Sequence, residues 1–302
     1  MKLDFDVVVV GAGVAGMTAA IYLKRGNANV CIAEKGTPGG LINLSSDIEN
    51  YPGIKKTAGV DLAFSMYEQV MSLNIPFRST EIKEIKSLED KKVLVTTDGE
   101  ITCQSIILCM GRGPIKLELD NVDRLTGRGI SYCAVCDGAL YKDKDVCVVG
   151  GGNSALEESL YLANLCRKVY IIHRRDVLRG EKMLVSKIKE KDNIEVIYNA
   201  QIIKFNEEND RLSSIDIDEE GSIRNIVVSG CFTFIGYKPA NELVKNFDIL
   251  DEKGYIIVDK GMQTNIKGIY AAGDIVYKDA FQIVTAASDG ALAAISCMRS
   301  LK

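Results

Sequence analysis

A glycine turn used twice in the same setting is the feature that most constrains this chain. Gly11-Ala12-Gly13-Val14-Ala15-Gly16 follows four valines, Val7 to Val10. Gly150-Gly151-Gly152-Asn153-Ser154-Ala155 follows a strand expected over Asp145 to Val149. Four β-branched residues in a row suit a parallel strand covered on both faces. After each turn a helix is expected, to about Lys24 in the first copy and over Leu156 to Leu165 in the second. Further strands are expected at Asn29 to Ala33 and at Lys168 to Ile172. The same number of residues separates Gly11 from Glu34 as separates Gly150 from His173. One such turn is weak evidence of function, but two at matched spacing between strand and helix are much stronger. In this arrangement the first glycine makes the tight turn and the second lets the backbone approach a pyrophosphate. The third packs helix against strand, a place Ala155 is small enough to fill. The diphosphate then rests on the N–H groups at the helix N-terminus. The expected fold class is therefore α/β, with two Rossmann-like dinucleotide-binding domains.

Composition agrees with that size of fold. The 302 residues exceed one ordinary domain. With 47% hydrophobic and 26% charged residues, the chain can bury a core. A net charge of −4 argues against a broad nucleic-acid surface. The uncharged stretch Val7 to Leu23 is interrupted by Gly11, Gly13 and Gly16, and acidic Asp4 and Asp6 precede it. It suits neither a secretion signal nor the roughly 20 apolar residues of a membrane span. No nucleic-acid or membrane partner is expected, and nine cysteines, an odd number, suit a reducing, cytoplasmic location.

The residues after each second strand separate the two ligands. Glu34 ends the first copy, and a carboxylate there accepts hydrogen bonds from ribose hydroxyls and repels a 2′-phosphate, as FAD or NAD requires. The second copy ends in His173-Arg174-Arg175, with Arg179 beyond. Arginine forks pair with phosphate oxygens at two points, which points to the 2′-phosphate of NADP(H). His173 is placed to contact the adenine nucleotide rather than to shuttle protons.

Only Cys133 and Cys136 have C-x-x-C spacing, and Asp137-Gly138 follows them. A structural zinc site needs four ligands. With one histidine in the chain and no second such pair, no metal is expected. Two buried thiols and a reversible disulfide are the readings that stay open, and the redox reading is the stronger. Such cysteines form thiolates near neutrality, and Asp137 is a candidate general acid. NADPH, a flavin and a dithiol make a coherent two-electron set.

These segments resemble the low-molecular-weight thioredoxin reductase family. The resemblance rests on Gly11 to Gly16, Gly39-Gly40, Glu49-Asn50-Tyr51-Pro52-Gly53 and Cys133-Ala134-Val135-Cys136-Asp137-Gly138. Further along the chain it rests on Gly150 to Ala155 with Glu157-Glu158, His173-Arg174-Arg175, and Gly268 to Asp274. It implies three-layer ββα domains, with an NADP(H) domain at 114–241, carrying the cysteines, inserted into an FAD domain split into 1–113 and 242–302. It implies a homodimer that passes electrons from NADPH through FAD and the dithiol to thioredoxin or a related redoxin. Cofactor contacts implied for FAD are Gly11, Gly13, Ala15, Gly16, Glu34, Gly39, Gly40, Leu41, Asn50, Gly273, Asp274, Gln282 and Ile283. Asp274 would bond the ribityl chain. Those for NADPH are Gly150, Gly152, Asn153, Ser154, Ala155, His173, Arg174, Arg175 and Arg179. Cys136 would be the flavin-proximal sulfur, and Cys133 the one that attacks the partner's disulfide. The chain departs from the family pattern at Leu41, usually glutamine, and at Phe281, usually arginine. Two other readings share many of these features: the same dithiol chemistry fed by ferredoxin, and a flavin redox sensor without turnover.

Overall fold

The computed structural model describes residues 3–45 and 48–301; residues 1, 2, 46, 47 and 302 of the ranges above lie outside them. The chain divides into two compact units, Met1–Gly113 with Lys238–Lys302, and Pro114–Tyr237.

In the first unit, strand β1 (Phe5–Val10), helix α1 (Val14–Arg25) and strand β2 (Val30–Glu34) form the opening βαβ. Helix α2 (Gly59–Ser72) and strands β3 (Phe77–Ser79), β4 (Ile82–Ser87), β5 (Lys92–Thr96) and β6 (Gly99–Leu108) follow. β1 pairs in parallel with β2 and β6, and β4-β5-β6 form an antiparallel meander. Alternation along β1 assigns its residues to opposite faces. Val7 and Val9 join a core that includes Met17 and Leu23 of α1, while Val8 and Val10 join one that includes Ile82, Ile85 and Leu94 of the meander. The valine run is therefore buried on both sides, giving layers of helix, parallel sheet and meander. α1 is buried over most of its surface between Val14 and Leu23, and Tyr22 and Arg25, with half-buried Thr18, form its one narrow outward stripe.

Strand β7 (Arg112–Pro114) opens the passage to the second unit. That unit contains helix α3 (Val122–Leu125), strand β8 (Ile130–Ser131), the single turn α4 (Ala134–Asp137), strand β9 (Asp145–Val149) and helix α5 (Asn153–Ala163). Strand β10 (Lys168–Ile172), helix α6 (Lys182–Lys189) and strand β11 (Ile194–Ile197) come next. Strands β12 (Ala200–Glu208), β13 (Arg211–Glu219), β14 (Ser222–Val227) and β15 (Gly230–Thr233) complete it. Its parallel sheet runs β11-β10-β9-β15-β8, and β12-β13-β14 form a separate antiparallel sheet. Cys147 and Val149 face the core shared with Phe205, Ile215 and Ile217 of that second sheet, while Val146 and Val148 face Ala155 and Leu162 of α5. The ββα plan thus recurs. Both strands expected here have the expected bounds. α5 starts three residues ahead of expectation because Asn153 and Ser154 already belong to its first turn.

Strand β16 (Tyr237–Pro239) pairs with β7 in a two-stranded sheet. Back in the first unit, β17 (Ile269–Ala271) adds to β6, and helix α7 (Ile283–Ser300) packs on α1, where a Cβ on Gly290 would lie 2.2 Å from the Ala15 carbonyl oxygen. Among the described residues no helix is long and apolar enough to cross a membrane.

Candidate active site

The glycine turn of the first unit is fixed by close backbone contacts. Gly11 has φ +102°, and a Cβ there would lie 2.5 Å from the Cys109 carbonyl oxygen; one on Gly16 would lie 1.9 Å from that of Gly11. Gly13 is the exception, with no atom within 4 Å of a Cβ built on it, so it forms an open ledge at the N-terminus of α1. The Glu34 carboxylate ties the end of β2 to this turn, accepting the Ala12 N–H and the Gly36 N–H, each at 2.7 Å. The Gly39 N–H donates to the Ala12 carbonyl at 2.8 Å, which brings Gly39, Gly40 and Leu41 to the same place. Gly273 packs on Ala15 from the other side, where a Cβ would lie 2.7 Å from the Ala15 methyl. Its N–H donates to Asp289 at 3.2 Å, and Lys278 pairs with the same carboxylate. Asn50 donates to the Gln282 side chain at 3.1 Å, beside Ile283 at the start of α7. Two of the residues expected to contact FAD, Asn50 and Gln282, thus meet although they are 232 positions apart. An open ledge on a helix N-terminus, with a carboxylate at the end of the next strand, suits a dinucleotide carrying an unphosphorylated ribose.

In the second unit Gly150 has φ +143° and lies against the Phe234 carbonyl, and Gly152 is the open position at the start of α5. Arg179 donates its N–H to the Gly151 carbonyl at 2.7 Å, which folds the segment after β10 back onto the turn. Asn153 and Glu181 exchange hydrogen bonds at 2.8 and 2.9 Å across the same gap. Arg174, Arg175 and Arg179 are exposed and Ser154 is exposed beside the turn, while Ala155 is buried. His173 is only 3% exposed, its ring under Gly151 and its Nε2 2.9 Å from the Val177 carbonyl oxygen. Burial, helped by the neighbouring arginines, lowers its pKa. The ring thus supports the turn from beneath, whereas the sequence reading places it on the nucleotide. Thr233, level with Val149 beside the turn, is buried with no partner for its hydroxyl among the described residues. An open ledge, a set of exposed guanidinium groups and an unpaired hydroxyl fit NADP(H). Gly152→Ala is expected to leave stability within about 1 kcal/mol, because the added methyl meets no protein atom. The same methyl should raise the KM for NADPH about tenfold or more. Thermal melts and steady-state kinetics check the pair of outcomes.

Cys133 and Cys136 form a disulfide, with Cα atoms 5.3 Å apart. Cys133 is buried and Cys136 exposed. The Cys136 N–H donates to the Cys133 sulfur at 3.0 Å. Asp137 accepts the Ser131 hydroxyl at 2.6 Å, and Ser131 in turn accepts the Cys133 N–H at 3.1 Å. Ser131 was missed in the sequence reading, since an isolated serine two residues before a cysteine carries no spacing signal. Arg112, Lys278 and Asp289 were missed because their partners lie elsewhere in the chain. The seven other cysteines are free and buried.

Glu158, on α5, is an acid poorly matched to its surroundings. Its Oε2 is buried without a hydrogen-bond partner among the described residues. Burial, with the Glu157 carboxylate adding to it, pushes its pKa from 4.5 to about 7. Below pH 4.5 the group is protonated whether the chain is folded or not. Between pH 4.5 and about 7 the unfolded chain gives up this proton while the folded protein keeps it, so stability falls across that window and levels off above it. With its partial exposure counted, the cost is on the order of 2 kcal/mol. Glu158→Gln should therefore raise Tm at pH 8 and leave it nearly unchanged at pH 4.5. Equal gains at both pH values would exclude ionisation as the cause.

Comparisons with known proteins agree over almost the whole chain. Residues 5–291 match the pyridine nucleotide-disulphide oxidoreductase family. The chain is 42% identical to a thioredoxin reductase of Ureaplasma parvum, covering 96% of this chain and 95% of that one. It is 37% identical to one from Bacillus subtilis, covering 97% and 93%. The crystal structure of Lactococcus lactis thioredoxin reductase, 37% identical, superposes with a TM-score of 0.89 over 99% of each chain. The chain belongs to the pyridine nucleotide-disulphide oxidoreductase family, among its thioredoxin reductases.

Proposed function

We propose that this flavoprotein disulfide reductase transfers electrons from NADPH to the disulfide of thioredoxin, with FAD held by the first unit and NADPH by the second. The observation that carries the reading is the Cys133–Cys136 disulfide, set beside Asp137 in the same unit as an arginine-lined glycine turn. The enzyme uses both cofactors: when bound, NADPH provides hydride and FAD provides a two-electron relay to a disulfide. In the first unit Gly13 and the first turn of α1 would hold the FAD pyrophosphate, Glu34 the ribose and Asp274 the ribityl chain. In the second, Gly152 would hold the NADPH pyrophosphate, and Arg174, Arg175 and Arg179 the 2′-phosphate.

The chain's own residues then carry out the thiol exchange. Once the dithiol is reduced, the Cys136 N–H at 3.0 Å stabilises negative charge on the Cys133 sulfur. That thiolate attacks one sulfur of the partner's disulfide, forming a mixed disulfide, and the partner's other sulfur leaves as a thiolate. Cys136, deprotonated, attacks Cys133, which restores the internal disulfide and releases the second partner thiolate. Asp137, which accepts the Ser131 hydroxyl at 2.6 Å, would take the Cys136 proton and return it to a departing thiolate.

A homodimer, supported by the family resemblance, and a cytoplasmic location, supported by the cysteine usage, complete the proposal. Sedimentation velocity tests the first. For the function, the test is anaerobic addition of NADPH, with the flavin spectrum and free thiols followed in the presence and absence of thioredoxin. Flavin bleaching coupled to new thioredoxin thiols is expected. Bleaching that never yields thiols would overturn the disulfide reductase reading.

A further inference from the structure

Phe281 stands where the resemblance leads one to expect an arginine, and the structure brings a guanidinium to the same spot from elsewhere. Phe281 is half-buried just ahead of Gln282 and α7. Its ring stacks on Tyr255, with centroids 5.8 Å apart and planes inclined by 29°. The guanidinium carbon of Arg112 lies 3.7 Å from the centre of the Phe281 ring. The same group reaches Asp274, donating from Nε at 3.3 Å and from Nη2 at 3.2 Å to one carboxylate oxygen. Neither side chain is freely solvated, at 17% and 19% exposure. Strand β7, the turn after β17 and the loop before α7 thus converge on one cation. Lys278, on that loop, is committed to Asp289.

A guanidinium that is both stacked on a ring and paired to a carboxylate has little rotational freedom left, and only arginine offers a planar group able to do both. Its position beside Asp274 and Gln282 puts that fixed charge among the residues assigned to FAD. We propose that Arg112 is the positioning residue of the flavin pocket in this chain, supplying from β7 the cation that the family carries at position 281. The inference rests on the reading that the first unit holds FAD. Arg112 orients the Asp274 carboxylate toward its hydrogen-bonding task and balances its charge. A positive charge there also favours electrons on a reduced flavin, whereas an unbalanced carboxylate would oppose them.

The test uses the flavin-loaded protein as wild type, Arg112→Ala, Phe281→Arg and the double variant. FAD release is followed by fluorescence and the flavin midpoint potential by dye equilibration. Arg112→Ala should hold FAD about tenfold more weakly or worse, with a more negative midpoint. Adding Phe281→Arg to it should restore most of both. Unchanged affinity and potential in Arg112→Ala would overturn the proposal. So would weaker binding with an unmoved potential, or a loss that Phe281→Arg does not repair, since a mere prop for the fold behaves that way. If Arg112→Ala fails to fold, Arg112→Lys replaces it, keeping the charge without the planar stack. Intermediate values are then expected, and values equal to wild type would overturn the stacked geometry. Wild-type protein that holds no flavin would instead sink the functional reading.

Discussion

Cys136→Ser is expected to give a yellow protein whose flavin NADPH still bleaches but whose disulfide reduction falls about 10³-fold or more. Exchange needs one sulfur to attack and a second to release the product. Serine at 136 cannot displace the partner from Cys133, because an alkoxyl cannot rebuild the S–S bond. The Cys133 sulfur keeps the 3.0 Å hydrogen bond from the backbone N–H of residue 136, which the substitution does not remove. The variant should therefore still attack thioredoxin and stall as a mixed disulfide, visible as a mass shift that a reductant reverses. The exposure of position 136 argues against a large effect on folding. Normal turnover by the variant would exclude Cys136 from the reaction.

Arg174→Ala with Arg175→Ala should raise the KM for NADPH about 100-fold while moving that for NADH less than about threefold. Each guanidinium–phosphate contact contributes roughly 1.5–3 kcal/mol, trimmed here by the exposure of both side chains. The two cofactors differ only in the 2′-phosphate, so NADH is the internal control. Because the 2′-phosphate is remote from the reacting ring, kcat at saturation should hold, the signature of uniform binding. Steady-state kinetics with both cofactors, together with melts of the double variant, decide the matter. Equal weakening of NADPH and NADH would mean that these arginines do not read the phosphate.

The parts of the fold legible in the sequence are those governed by local rules. Both glycine turns and the strands β9 and β10 follow from hydrophobic runs and tight-turn geometry. The start of α5 was misplaced, because asparagine and serine favour turns as readily as first helical positions. The polar partners of the site were less legible. Arg112 and Asp274 are 162 residues apart, and nothing local to either points to the other. Ser131 is only six residues from Asp137, yet the strand and the turn between them had to be built before the contact existed. His173 reads naturally as part of a basic ligand site. Its burial beneath Gly151 depends on how the turn lies over the strand end, which residue spacing does not encode.

The burial of the remaining cysteines has a consequence for an enzyme that spends its time among disulfides. Cys31 and Cys166 are pushed up to about 11, Cys103 and Cys297 to about 12, and Cys109 and Cys147 are raised as well, in each case chiefly by burial. A thiol must ionise before it can swap partners. The interior thus acts as chemical insulation: oxidised substrate can accumulate around the protein without scrambling it, and traffic in electron pairs is confined to the single exchangeable pair on the second unit.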